Sequence, residues 1–107
     1  MPSDERVTLI LTTEADSDSA RALASALVDR RVAACVTMST VQSTYRWEGE
    51  IVDTTEVQLV LKTSPDTVAA AIAAIEALHS YEVPEIVVLD TRASRAYATW
   101  VGDVVSP

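Results

Sequence analysis

The sequence predicts an α+β domain in the order β-α-β-β-α-β, closed by an extra C-terminal helix. Three observations carry that prediction. Four segments carry the short apolar or alternating pattern of strands, and in others apolar residues recur at helical spacing. Two Gly and four Pro among 107 residues leave little chain for irregular structure. No linker, repeat or low-complexity stretch divides the sequence, so residues 1–107 read as one domain with its core between about 7 and 101.

Val7 to Thr12 reads as the first strand, with Val7, Leu9 and Leu11 on one face and Ile10 on the other. Asp16 to Arg31 reads as a helix whose stripe is Ala20, Leu23, Ala24, Leu27 and Val28. Asp16 and Asp18 stand in its first turn, and Arg30 and Arg31 in its last, as the helix dipole favours. Ala34 to Ser43 is a second strand that continues through Tyr45-Arg-Trp47 to a turn at Glu48-Gly49. The chain returns as Ile51 to Thr63, with Val57, Leu59 and Leu61 alternating with Glu56, Gln58 and Val60. This hairpin is longer than the six or so residues of an ordinary strand. Ser64-Pro65-Asp66 starts a second helix with Val68, Ile72, Ile75 and Leu78 facing inward. His79 to Pro84 is a loop, and Glu85 to Leu89 is a fourth strand, apolar on both faces. Ser94 caps a last short helix through Tyr97 and Trp100 that ends near Gly102.

This order is the ferredoxin-like arrangement, a four-stranded antiparallel sheet with helices on one face and here an extended hairpin between strands two and three. The first and fourth strands carry apolar side chains on both faces, whereas a sheet open to water alternates apolar with polar. No further segment is expected to cover the second face, so association of several copies is. The composition points the same way. Ala and Val make up 31 residues and Phe none, which leaves a core of small side chains. The overlong hairpin offers an edge for pairing between chains.

Composition also excludes functions. A single Cys (Cys35) permits no internal disulfide, CxxC pair or one-chain cysteine zinc site. Sixteen acidic against eight basic residues give a charge of −8, the wrong sign for nucleic acid. The acidic N-terminus lacks the apolar run of a signal peptide, and no stretch nears the ~20 residues that span a bilayer, so a soluble cytoplasmic protein is expected. Among ferredoxin-like functions, a copper chaperone needs two Cys after the first strand, where Thr12-Thr13-Glu14-Ala15 stands. RNA recognition needs aromatics on the central strands, and an acylphosphatase needs an Asn, which this chain lacks.

The strings Arg31-Val-Ala-Ala-Cys-Val36, Tyr45-Arg-Trp-Glu-Gly49, Leu61-Lys-Thr63, His79-Ser-Tyr-Glu-Val-Pro-Glu-Ile86 and Tyr97-Ala-Thr-Trp100 resemble the CutA family of divalent-cation tolerance proteins, from about Val7 to Val101. The resemblance implies a homotrimer similar in fold to the PII signalling proteins, sheets inside and helices outside. It implies a non-enzymatic role in metal tolerance, with copper or another divalent cation bound and no organic cofactor. The family's copper ligands, a Cys late in strand one and a His-His pair, align with Thr12, Leu78 and His79, so His79 alone keeps a ligand type. Ser80 stands where the family commonly has Pro, and Thr37 where an Asn follows Cys-Val.

The candidate metal residues are therefore His79, Cys35 and Glu82. Cys35 suits Cu(I) as a soft ligand, or packs as a small hydrophobe on the face opposite Ala34, Val36 and Met38. His79 is either a ligand or a partner for the last helix carbonyls. With Glu82 and Glu85 it suits Zn, Cu(II) or Mn, provided a neighbouring copy completes the set. Tyr45, Trp47 and Tyr97 are expected at the trimer interface. Lys62, Tyr81, Glu85 and Trp100 are candidates for a cleft between subunits that, in a PII-like reading, takes a small anionic metabolite. A Cys35–His79 hydrolase is a third reading, without a Gly-containing loop or nucleophile elbow around the thiol. Three copies at −8 each carry −24, which gathers cations loosely.

Overall fold

A computed structural model describes residues 5–106. Its elements are β1 (Arg6–Glu14), α1 (Ser17–Asp29), β2 (Cys35–Trp47), β3 (Glu50–Thr63), a 3-10 turn (Pro65–Thr67), α2 (Val68–Leu78), β4 (Val87–Arg92) and α3 (Arg95–Val105). The strands form one antiparallel sheet in the order β2-β3-β1-β4, as the ferredoxin-like reading requires.

Local chemistry sets the boundaries. Asp16 caps α1, its Oδ1 accepting the Ser19 N–H at 2.8 Å. The helix stops because Arg31 turns left-handed at φ 58°. Arg30 and Arg31 therefore lie beyond the last turn rather than in it, and the Arg31 guanidinium donates to the Val104 carbonyl at 3.1 Å. At the hairpin tip Glu48 and Gly49 both have positive φ, 50° and 81°. Such a two-residue turn matches the right-handed twist of the arms. β2 and β3 pair from Cys35↔Lys62 out to Trp47↔Glu50, whereas β1 follows β3 only as far as Glu14↔Val57. The hairpin thus runs on by roughly 20 Å at a strand's rise per residue, in a molecule 46 Å long.

One face of the sheet is complete within the chain. Ile10, Val57, Leu59 and Leu61 bury against Ala20, Leu23, Ala24 and Leu27 of α1 and Ala71, Ala74 and Ile75 of α2. Leu78, expected inside, is 37% exposed, because the buried stripe of α2 runs through alanines and leaves the last turn outside. Val28 is likewise exposed, on the margin of the α1 stripe.

The second face differs from expectation. The chain does supply a cover for it: α3 lays Ala98, Val101 and Val105 on Val7 and Ala34, with Leu9 and Val104 at the margin. That packing also explains why α3 runs past Gly102 to Val105, since Val101 and Val105 share one buried helix face. β4 is shifted too, spanning Val87–Arg92 rather than Glu85–Leu89, because it pairs along β1 from Leu11↔Val87 to Arg6↔Arg92. Beyond α3, the second face leaves Leu11 and Val60 half-buried and Val87 and Leu89 exposed.

Candidate functional site

A polar network closes the end of the sheet where β1 stops. α2 ends at Leu78, and His79 takes an extended backbone whose N–H donates to the Ile75 carbonyl at 2.9 Å. This turn carries the His79 ring beneath the chain, its side chain at 0% exposure. Nε2 lies 2.6 Å from the Thr13 carbonyl, and Nδ1 receives the Tyr81 N–H at 2.9 Å. A carbonyl only accepts and an amide N–H only donates, so the pair of bonds assigns the ring proton to Nε2. The rings of His79 and Tyr81 lie 4.9 Å apart.

Two buried carboxylates belong to the network, one beside His79 and one bonded to Tyr81. Glu14 ends β1, its side chain 2% exposed and 3.6 Å from His79 Nδ1. It accepts the Ser80 N–H at 3.2 Å and also the Ser80 hydroxyl. Glu56 of β3, also buried, accepts the Tyr81 hydroxyl at 2.6 Å. Burial, then the bond to Glu56, holds the Tyr81 phenol above its ordinary value, with the charge of Glu14 a smaller cause. Carboxylates this deep are tolerable only with such donors.

For metal chemistry the arrangement is restrictive. Nε2 of His79 carries a proton and the Nδ1 lone pair is spent on Tyr81, so a cation reaches the ring only if the Tyr81 N–H lets go. Cys35 lies elsewhere, paired with Lys62 and in the row of Leu9, four residues along β1 from Thr13, or roughly 13 Å of strand. Its thiol neighbours Tyr97, whose phenol is raised by burial first and by Cys35 second. Glu82 is exposed on the loop. Among the described residues no three His, Cys, Asp or Glu side chains gather as a metal site, so His79, Cys35 and Glu82 do not meet within one chain. The same separation leaves Cys35 without His79 as a base.

The remaining candidates divide between two places. Lys62 lies on the second face, its Nζ donating to Thr37 Oγ1 at 2.7 Å. On α3, Tyr97 stacks against Trp100 at 5.7 Å, both partly exposed. Tyr81 belongs to the polar network instead, and Glu85 is exposed ahead of β4. Tyr45 and Trp47 stand out at the hairpin tip, Trp47 with 55% of its surface free. Glu14, Ser80 and Glu56 were not singled out by sequence reasoning. For Glu14 the signal was present: it continues the inward series Thr8, Ile10, Thr12, where an acid means a buried carboxylate.

The model of a family described as CutA1 divalent ion tolerance protein matches residues 8–104. The divalent-cation tolerance protein CutA of Thermus thermophilus is 39% identical over 95 residues, which are 87% of this chain and 92% of that one. Its counterpart in Pectobacterium atrosepticum is 35% identical over 95 residues, 87% of this chain and 86% of that one. Among solved structures, CutA from Synechococcus elongatus superposes with a TM-score of 0.91 at 36% identity, covering 95% of this chain and 92% of that one. CutA from Xylella fastidiosa gives 0.87 at 39% identity, covering 94% and 98%.

Proposed function

The chain belongs to the CutA1 divalent ion tolerance protein family, and from that premise we propose that it works as a homotrimer that binds copper or another divalent cation in support of metal tolerance. The observation that carries the reading is the second sheet face. Leu11, Val60, Val87 and Leu89 form an apolar strip that α3 does not reach, and beside it a hairpin extends past the body of its own chain. Both features favour a second and third copy over water.

Association also answers the ligand problem. Among its described residues one chain gathers no three ligands, so a tight cation site draws residues from more than one copy, with His79, Cys35 and Glu82 its proposed contributors. His79 ligation requires the loop after α2 to release Nδ1, which makes binding weaker than at a free imidazole. The role includes no catalytic step, and a cytoplasmic location is part of the proposal.

Native mass spectrometry with and without copper tests assembly and stoichiometry together, the expected result being three chains with copper taken up by the trimer. Calorimetry at physiological salt then tests the ligand: His79→Ala is expected to weaken copper binding by about tenfold or more. Unchanged affinity would remove His79 from the site.

A further inference from the structure

Of the eight basic side chains, seven are exposed; Lys62 is the exception. It is half-buried on the second sheet face, directly opposite Cys35 on one side and Leu9 on the other, with Leu89 next along the same row. The adjoining row is Thr37, Val60, Leu11 and Val87. An ammonium has three donors, and the hydrogen bond made by Nζ goes to Thr37 Oγ1. No carboxylate pairs with it among the described residues, although the chain holds twice as many acids as bases. Arg92 and Arg95, far more exposed, both reach Glu5.

We propose that Lys62 is the receptor for an oxyanion, a carboxylate or phosphate group that comes from outside its own chain. The physical requirement is simple. An ammonium on an apolar face is tolerable while water reaches it, and becomes costly once that face is covered without an anion. The covering itself rests on the association proposed above. The oxyanion has two sources, a carboxylate side chain of the neighbouring copy or a free small anion held in the cleft. The chain's charge of −8 repels free anions and a second copy alike at long range, so burial of the second face, rather than net charge, is what would bring a neighbour's carboxylate to Lys62. The free donors of Lys62 and the Thr37 hydroxyl suit either.

The test compares wild type, Lys62→Met and Lys62→Arg. Native mass is measured across a dilution series, and melting is followed with inorganic phosphate against sodium chloride of equal ionic strength. If the neighbour supplies the carboxylate, Lys62→Met dissociates at about tenfold or higher concentration than wild type, and Lys62→Arg recovers most of that loss. If the anion is free, Lys62→Met assembles normally but loses the phosphate-specific rise in melting temperature seen in wild type. Normal assembly together with an unaltered phosphate response in Lys62→Met overturns the proposal, as does a loss that Lys62→Arg leaves uncorrected. A wild-type protein of single-chain mass would overturn the trimer reading alone, since the phosphate arm still reads Lys62 in a monomer.

Discussion

The two faces of the sheet are built from the same strands and end in different states. On the helix face, Ile10, Leu59 and Leu61 reach 0% exposure under α1 and α2. On the other, α3 buries Val7 and Ala34 at one end and leaves Val87 and Leu89 each 43% exposed at the other. Neighbouring residues of one strand alternate between these environments, so the contrast does not arise from composition. It arises from cover: two helices on one face against a single one on the other. The helix face closes a core within the chain, and the second face defers part of its burial to a partner.

The sharpest way to break that contrast is to damage one face at a time. Leu27→Ala, on the inward side of α1 at 0% exposure, is expected to cost about 2–5 kcal/mol in lost transfer energy plus cavity. Because that core is internal, the loss should be the same at every protein concentration in denaturant melts. Leu11→Arg on the half-buried strip should instead leave far-UV dichroism intact and lower the native mass to a single chain. A Leu11→Arg protein that keeps the assembled mass would mean that this strip is not the interface.

The polar network at the end of the sheet ranks next. Tyr81→Phe removes the donor of the 2.6 Å bond to buried Glu56, at an expected cost of about 1–3 kcal/mol at neutral pH. The Tyr81 phenol is raised above its ordinary value of 10.0 in the folded chain. A raised folded value favours the neutral phenol, so its contribution is complete below pH 10 and is lost as pH climbs through the folded value. Denaturant midpoints taken stepwise above pH 10 should therefore fall in wild type and fall less in Tyr81→Phe. Parallel slopes in the two proteins would show that Tyr81 does not carry the alkaline loss.

Period and punctuation made most of the fold legible. Alternation placed Ile10 opposite Val7 and Leu9, Ser64-Pro65-Asp66 marked the start of the second helical segment, and Glu48-Gly49 marked the hairpin tip. What stayed hidden depends on partners distant in sequence. β4 slid by two residues because the open edge of β1, rather than apolar content, decided its register. α3 crossed to the second face and outran Gly102 because Val7 and Ala34 were waiting for Val101 and Val105. The candidate site was legible in part. His79 and Tyr81 stood out as residue types, yet Glu14 looked like a loop acid, because β1 was expected to stop at Thr12.

The smallest predicted effect concerns polar atoms on the well-packed face. Thr8, Thr12 and Thr63 all point into the helix face with buried hydroxyls that find no hydrogen-bond partner among the described residues. Thr12 has 0% exposure and sits between Ile10 and Glu14 in the inward series, opposite Leu59. Valine has nearly the same shape and no hydroxyl to desolvate, so Thr12→Val should raise stability by about 1 kcal/mol, seen as a higher urea midpoint at unchanged slope. Thr37 on the second face is the matched control. Its hydroxyl is exposed and accepts from Lys62, so Thr37→Val frees an ammonium donor and should bring no such gain. If Thr12→Val is destabilising, its hydroxyl has a bonded partner such as a buried water. The helix face would then share the second face's need for something from outside the chain.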